Sequence, residues 1–298
     1  MKKASGYCNP MRDMQRKDEG GKDCAMIGRR NFLRLVGRAA GVASVGLLAA
    51  CSGGPLANSS SGEAPEGQRE VGGTTDRERL LARAAPRPSH PTAPTGLRPL
   101  GIGSGRDGLL YVPPGYDVAA KKAPLALMLH GAGGDARSGI AHFLDLADEA
   151  GLILLAPESR GRSWDVLVGG YGPDVAFIDR SLGQTFDRLA VDAEKVAVVG
   201  FSDGASYALS LDPTNGDLFT RVIAFSPGFA SPAARRGKPP VFVSHGTRDG
   251  VLPIERCSRR IVPRLEREGY EVCYREFDGP HTVPRSIAHE ALGWFVAD

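Results

Sequence analysis

The feature that most constrains the fold of this chain is an apolar strand that runs directly into a serine flanked by glycines. Residues 196–199 (VAVV) are predicted to form a buried strand, residues 200–204 read GFSDG, and residues 205–209 (ASYAL) begin a helix. This is the G-x-S-x-G pattern in the strand, turn and helix setting that it requires. The serine of such a turn is strained, and the glycines omit the Cβ atoms that would collide with neighbouring backbone. The pattern predicts Ser202 as a nucleophile at the end of a strand.

Short apolar runs alternate with helix-like stretches over the part of the chain that follows residue 98. The predicted strands are 109–112, 125–129, 152–156, 196–199, 222–225, 241–244 and 272–277. The predicted helices are 138–150, 175–189, 205–211, 255–268 and 284–296. Several strands are apolar throughout, which is typical of strands buried on both faces. The alternation predicts the α/β class, with a mostly parallel central sheet flanked by helices and functional residues in loops beyond the strand ends.

Two residues are predicted to activate the serine. A serine hydroxyl is a poor nucleophile near neutral pH unless a base lies beside it and a carboxylate orients that base. Asp249 lies in the loop after the strand 241–244, and His281 follows the strand 272–277. Both are expected at the same edge of the sheet as Ser202. We therefore predict a triad of Ser202, Asp249 and His281.

Neighbouring residues are alternatives for these roles. Asp278 lies three residues before His281 and is either a second candidate acid or a turn residue. His245 precedes Asp249 at the end of the same strand, and we interpret it as structural. His142 either lines the pocket or lies on the surface. The other histidines of the chain, for which no role is predicted, are His90 and His289.

A glycine-rich turn follows the predicted strand 125–129. It reads HGAGGD at 130–135, and a turn of this composition exposes backbone N–H groups. We assign the donors of an oxyanion hole to the amides of Ala132 and Asp203, with His130 bracing the turn. The alternatives are a β-turn without a catalytic role and a nucleotide-binding loop. The second is disfavoured because neither a G-x-G-x-x-G pattern nor a P-loop lysine follows.

The substrate pocket is predicted from its neighbours in the sequence. The loop 157–173 follows a strand end and is expected to form a wall, in which Trp164 is either an exposed pocket residue or an ordinary core residue. Val251 and Leu252 are expected to flank the triad as substrate-binding residues. Chemistry by the predicted triad requires neither a metal nor an organic cofactor. The Cys and His residues also show no metal-ligand spacing.

Several stretches together resemble a known superfamily. They are LMLHGAGGD, VAVVGFSDGASYAL, VFVSHGTRDGVLPIERC and REFDGPHTVP, with SWD at 163–165 and GPDVAFIDRSL at 172–182 as further matches. Residues 109–296 resemble the α/β-hydrolase superfamily, and within it the small carboxylesterase and phospholipase group with the related polyhydroxybutyrate-depolymerase-like esterases. The order serine, aspartate, histidine is also the order of that superfamily. The resemblance implies an α/β-hydrolase fold, and the short intervals between strands leave no room for a cap domain.

The predicted activity is hydrolysis of small-molecule or polymeric carboxylic esters through an acyl-enzyme intermediate. A serine peptidase or thioesterase on the same fold is an alternative, because the triad is shared and pocket contacts distinguish the leaving groups. A surface lipoprotein that uses a degenerate hydrolase domain for binding is an alternative of another class. We expect a monomer.

Residues 1–50 are predicted to be an export signal. The sequence RRNFL at 29–33 resembles the twin-arginine motif, and it precedes an apolar stretch at 35–50 that ends in small residues. The sequence LAAC at 48–51 resembles a bacterial lipobox, which implies a lipid anchor on Cys51 and a location in the cell envelope, either periplasmic or at the cell surface. The alternative is a fortuitous arginine pair before a buried helix. Because residues 1–25 are long and charged for the start of a signal, Met26 is suspected as the true first residue.

Charge and composition divide the remaining chain. Residues 1–50 hold ten of the 37 Lys and Arg and four of the 34 Asp and Glu, so residues 51–298 carry a net charge of −3 and no nucleic-acid partner is expected.

Residues 51–98 are rich in Gly, Pro, Ser and Thr and are predicted to form a tether, with a short helix at 76–85, before one catalytic domain at 99–298. A helix is predicted between Cys257 and Cys273, so both are expected to be reduced.

Overall fold

The computed structural model describes residues 78–92, 94–119, 121–168, 170–230 and 236–297. Several expectations fall on residues 1–77 and lie outside the described residues. They concern the arginine pair at 29–30, the start at Met26, the anchor on Cys51 and the first part of the tether. No helix among the described residues is long and apolar enough to cross a membrane.

The described strands form one eight-stranded sheet. They are β1 Gly96–Pro99, β2 Gly108–Val112, β3 Ala123–Leu129, β4 Ile153–Pro157, β5 Val191–Phe201, β6 Arg221–Phe225, β7 Val241–Gly246 and β8 Val272–Phe277. Their order across the sheet is β1-β2-β4-β3-β5-β6-β7-β8. β2 pairs antiparallel with β1 and β4, and the other five pairs are parallel. All seven predicted strands are confirmed, and so is the mostly parallel sheet.

Helices cover both faces of this sheet. They are α1 Ala136–Leu144, α2 Ala147–Ala150, α3 Asp165–Val168, α4 Pro173–Arg188, α5 Asp203–Asn215, α6 Ser258–Arg267 and α7 Arg285–Val296. α4, α5 and α6 bury their apolar residues on one face, and α1 and α7 bury theirs on the other. The side chains of β3 alternate between the two cores: Leu125 and Leu127 face the first, whereas Ala126 and Met128 face the second. The strands are therefore apolar throughout because each face of the sheet is buried.

Two helices differ from their predicted bounds for local reasons. The predicted helix 138–150 is divided into α1 and α2, and it begins two residues earlier because Asp135 caps α1 in a reciprocal capping box with Ser138. The predicted helix 255–268 begins at Ser258, after a 3₁₀ turn at Ile254–Arg256. No disulfide joins Cys257 and Cys273, as predicted, and both side chains are buried.

The described part of the predicted tether packs against the domain. Leu80 is fully buried, and its N–H donates to Asn215 Oδ1 at 2.8 Å. Arg79 and Arg83 both bind the carboxylate of Asp217. Residues 78–85 are irregular rather than helical, and β1 extends the sheet beyond its predicted edge. Leu80 and two arginines thus dock a polar segment whose composition resembles that of a linker.

Replacing Leu80 with alanine tests this docking. The Leu80→Ala change empties a fully buried site and is expected to lower the free energy of unfolding by about 2–4 kcal/mol, measured by urea denaturation. Leu81→Ala is the matched control, because the neighbouring side chain is 73% exposed and its loss is expected to change stability by less than about 0.5 kcal/mol. Equal effects of the two changes would mean that the segment does not dock in solution.

Candidate active site

Ser202 lies on a strained turn between β5 and α5. Its φ of 57° and ψ of −116° are unusual for a residue other than glycine. A Cβ atom on Gly200 would lie 2.2 Å from the carbonyl carbon of Gly204, and one on Gly204 would lie 2.2 Å from the Leu129 carbonyl oxygen. The Ser202 N–H donates to the Phe225 carbonyl at 2.9 Å. The two glycines therefore permit a backbone approach that holds the strained serine in place.

Asp249 and His281 form a directly bonded pair. His281 Nδ1 lies 2.6 Å from Asp249 Oδ2, and the other carboxylate oxygen accepts from the N–H groups of Val251 at 2.9 Å and Leu252 at 2.8 Å. Burial by itself would raise the pKa of Asp249, but hydrogen bonds from His245, His281 and the Leu252 backbone hold that pKa well below its ordinary value. The carboxylate is thus ionised and aimed at the imidazole.

The alternative acid lies elsewhere. The side chain of Asp278 is 79% exposed and pairs with Arg248 at 2.8 Å.

The His281 ring lies beside the Phe201 ring, with centroids 4.7 Å apart, and Phe201 immediately precedes Ser202. The structure therefore brings Asp249 and His281 together and places the imidazole at the serine turn.

The glycine-rich turn after β3 borders Ser202. A Cβ atom on Gly131 would lie 3.5 Å from the Ser202 Cβ atom. The amides of Gly133 and Gly134 are used, since they donate to the carbonyls of Arg162 at 2.6 Å and Gly131 at 3.0 Å. Among the described residues no hydrogen bond uses the amide of Ala132, and the amide of Asp203, as the first residue of α5, has no acceptor within its helix. These two N–H groups are the predicted oxyanion donors.

The His130 side chain connects this turn to the loop after β4 through hydrogen bonds. Its ring is fully buried, Nδ1 contacts the Gly131 carbonyl at 2.8 Å, and Nε2 accepts from the Ser159 N–H at 3.0 Å. Since Nδ1 faces an acceptor and Nε2 faces a donor, the ring is the neutral Nδ1–H tautomer. Burial lowers the pKa of His130, in agreement with this assignment.

The structure places two predicted pocket residues in the core. Trp164 is fully buried, stacks on Tyr207 with ring centroids 5.0 Å apart and donates from Nε1 to the His130 carbonyl at 2.8 Å. Leu252 is 1% exposed and packs in the same core. Trp164 and Leu252 are therefore supports of the loops around the site rather than exposed walls. Val251 is half-buried.

Two buried carboxylates that sequence reasoning missed organise the loop 157–173. Asp165 accepts from the N–H groups of Gly172 and Asp174, each at 2.9 Å, and Asp174 accepts from the Asp165 N–H at 2.7 Å. The Tyr207 hydroxyl donates to Asp165 at 3.1 Å. The stretch SWD at 163–165 was the available signal, but it did not reveal that these carboxylates bind backbone amides.

The residue after the nucleophile carries a third buried carboxylate. Asp203 is 1% exposed and accepts a hydrogen bond from the Ser163 hydroxyl, so it ties the loop 157–173 to the serine turn. Burial raises the pKa of Asp203, against the opposing effects of Ser163 and His281. Within the described residues, no group of three or more His, Cys, Asp or Glu side chains is arranged to hold a metal ion.

Comparisons with known proteins agree with this architecture. No family model matches the chain. Feruloyl esterase C of Emericella nidulans is 29% identical over 173 residues, which are 55% of this chain and 62% of that protein. The chain thus spans about three fifths of the length of this curated relative.

Solved structures agree as well. The crystal structure of esterase PE8 matches with a TM-score of 0.52 and 24% identity, over 63% of this chain and 96% of that one. FphF, a fluorophosphonate-binding serine hydrolase of Staphylococcus aureus, matches with a TM-score of 0.55 and 14% identity, over 69% and 100% of the two chains. The chain has an α/β-hydrolase fold, as the sequence indicated. Among proteins with that fold, the chain is similar to esterases.

The buried carboxyl group of Asp174 is expected to make the free energy of unfolding depend on pH. Burial raises the pKa of this group from 3.8 to about 6. Because the folded state keeps a proton that the unfolded state loses between these values, the contribution of Asp174 to the free energy of unfolding is greatest below pH 4. It declines by an amount on the order of 3 kcal/mol as the pH rises to 6. Urea denaturation of the wild type and of Asp174→Asn should show a difference that falls across this window, and a constant difference would contradict the assignment.

Proposed function

We propose that the protein is a serine hydrolase that cleaves carboxylic esters, with Ser202, His281 and Asp249 as its catalytic triad. The single observation that carries the proposal is the bonded Asp249–His281 pair beside a strained, glycine-flanked serine. Similarity to feruloyl esterase C and to esterase PE8 supports esters rather than peptides as the substrate class.

The geometry suggests how each group acts. Asp249 accepts from Nδ1–H of His281 and thereby leaves Nε2 as the unprotonated nitrogen that removes the Ser202 proton. Ser202 attacks the ester carbonyl, and the amides of Ala132 and Asp203 stabilise the oxyanion. His281 then gives its proton to the leaving alcohol, and a water molecule activated by the same histidine releases the acid. The N-terminus of α5 favours the developing negative charge.

Similarity to the curated relative also indicates which esters to assay first. The curated relative is named as a feruloyl esterase, so esters of hydroxycinnamic acids belong among the first compounds to assay. The proposal assigns no cofactor to the reaction, because triad chemistry moves protons and acyl groups only.

We extend the proposal to the location of the enzyme. The sequence RRNFL and the cysteine at position 51 support export and a lipid anchor, and the segment at 78–85 docks on the domain at Asn215 and Asp217. The 26 residues between Cys51 and residue 78 would then separate the lipid from the enzyme. When the full chain is expressed in a bacterium, Cys51→Ser is expected to move the protein from the membrane fraction to the soluble fraction, as judged by immunoblotting. Unchanged fractionation would contradict the anchor.

Steady-state hydrolysis of p-nitrophenyl acetate, butyrate and octanoate and of methyl ferulate tests the activity. Ser202→Ala is expected to lower kcat by roughly 10⁴-fold or more, and Asp249→Asn by roughly 10³- to 10⁴-fold, because each removes a member of the triad. Asp278→Asn is the matched control and is expected to keep activity, since that carboxylate is exposed and pairs with Arg248. Hydrolysis that survives Ser202→Ala would contradict the proposal, and so would the absence of hydrolysis of every ester.

A further inference from the structure

A second histidine contacts the carboxylate of Asp249. His245 lies near the end of β7 and is fully buried. Its Nε2 atom lies 3.2 Å from Asp249 Oδ2 and 2.8 Å from the Leu252 carbonyl oxygen. Its Nδ1 atom lies 2.7 Å from the Ser258 hydroxyl, at the start of α6. Oδ2, the oxygen that binds His281, therefore has an imidazole on each side.

The contacts determine where the proton of His245 resides. Nε2 faces a carboxylate and a carbonyl, both of which can only accept, so Nε2 must carry a hydrogen. Nδ1 faces a hydroxyl, which can donate to it. His245 therefore donates from Nε2, with the Leu252 carbonyl as the nearer acceptor and the Asp249 carboxylate as the second.

The buried His245 ring contributes polar contacts as well as packing. The Oδ1 atom of Asp249 is held by the N–H groups of Val251 and Leu252, so the orientation of the carboxylate is already fixed. His245 adds a donor to Oδ2 and fixes Leu252, whose own N–H binds Oδ1. Its contacts therefore act on the charge of the atom that faces His281.

We propose that His245 is a positioning residue, which shares the Asp249 carboxylate with His281 and so sets how tightly the catalytic histidine holds a proton. The inference rests on the proposed function, because it assigns the base to His281. A donor on Oδ2 withdraws negative charge from the bond to His281 and makes the protonated imidazole less stable. The base is then free of its proton at a lower pH.

Other charged and titratable groups lie on the elements that pack around His245, Asp249 and His281. Glu276 of β8 lies opposite His245 in the sheet and is bound by Arg259 of α6 at 2.9 and 2.7 Å. Asp203 faces His281 from the serine turn, and Cys257 lies near Asp249. The exposed pair of Arg248 and Asp278 completes the set on the loops beyond β7 and β8, and Arg259 also binds Glu255. None of these groups changes in the variants below, so their effects cancel in a comparison.

The test is the pH dependence of kcat/KM for p-nitrophenyl butyrate in the full chain. His245→Leu removes the donor, and its acid limb is expected to lie about half a pH unit or more above that of the wild type. This corresponds to a roughly threefold loss of kcat/KM below the limb, with near-equal values on the alkaline plateau. His245→Gln returns an N–H group near the position of Nε2 and is expected to restore the limb.

Ser258→Ala controls for the loss of packing and stability. It removes the hydrogen bond on the other side of the same ring, at 2.7 Å, while the Nε2–H donor remains. It is expected to lower the melting temperature and to leave the acid limb in place, as followed by circular dichroism and the same assay.

Two results would overturn the proposal. One is an acid limb in His245→Leu that coincides with that of the wild type, with only a uniform loss of rate, which is the signature of a structural role. The other is a limb displaced to lower pH, which would mean that Asp249 had left His281. If instead the wild type hydrolyses no ester, or Ser202→Ala remains active, the proposed function itself fails. The two failures are thus distinguishable.

Discussion

The close approach of α5 to the end of β3 determines where the rest of the site can lie. Gly204 has no Cβ atom, and this lets the serine turn come against the Leu129 carbonyl, at a distance that any side-chain carbon would violate. The turn that follows β3 is thereby placed beside Ser202, and the amides of Ala132 and Asp203 are left at the same edge. The strain at Ser202 persists because this contact and the hydrogen bond to Phe225 over-determine the turn.

A second layer of buried polar groups keeps the loops around that turn in place. His130 binds the turn and the loop after β4, and Trp164 binds the His130 carbonyl. Asp165 and Asp174 bind backbone amides within the loop 157–173. Each of these groups is buried and satisfied by the backbone, so losing any one would leave an unpaired donor or acceptor. The glycine-rich turn after β3 therefore depends on buried residues of the neighbouring loop. The same principle operates on the other side of the site, where His245 supports Asp249.

The sheet and the order of the candidate residues could be predicted from the sequence, because buried parallel strands are apolar runs and each candidate residue lies a few positions after one of them. β1 could not, since Gly96–Pro99 (GLRP) contains no apolar run and becomes a strand by pairing with β2. Trp164 was ambiguous because residue type does not say whether an indole faces a pocket or a core. The roles of His245 and Asp174 depend on the sheet register and on backbone amides brought together by the loop, which leave no spacing in the sequence.

The most direct test of the central claim is where a fluorophosphonate probe attaches. The folded chain would be treated at neutral pH with the probe, digested and analysed by mass spectrometry, with the labelling rate followed on the intact protein. The account predicts a single adduct on Ser202, formed far more slowly after His281→Ala or Asp249→Asn, because the hydroxyl is activated by that pair. An adduct on another residue, or a labelling rate at Ser202 that is unaffected by these changes, would contradict it.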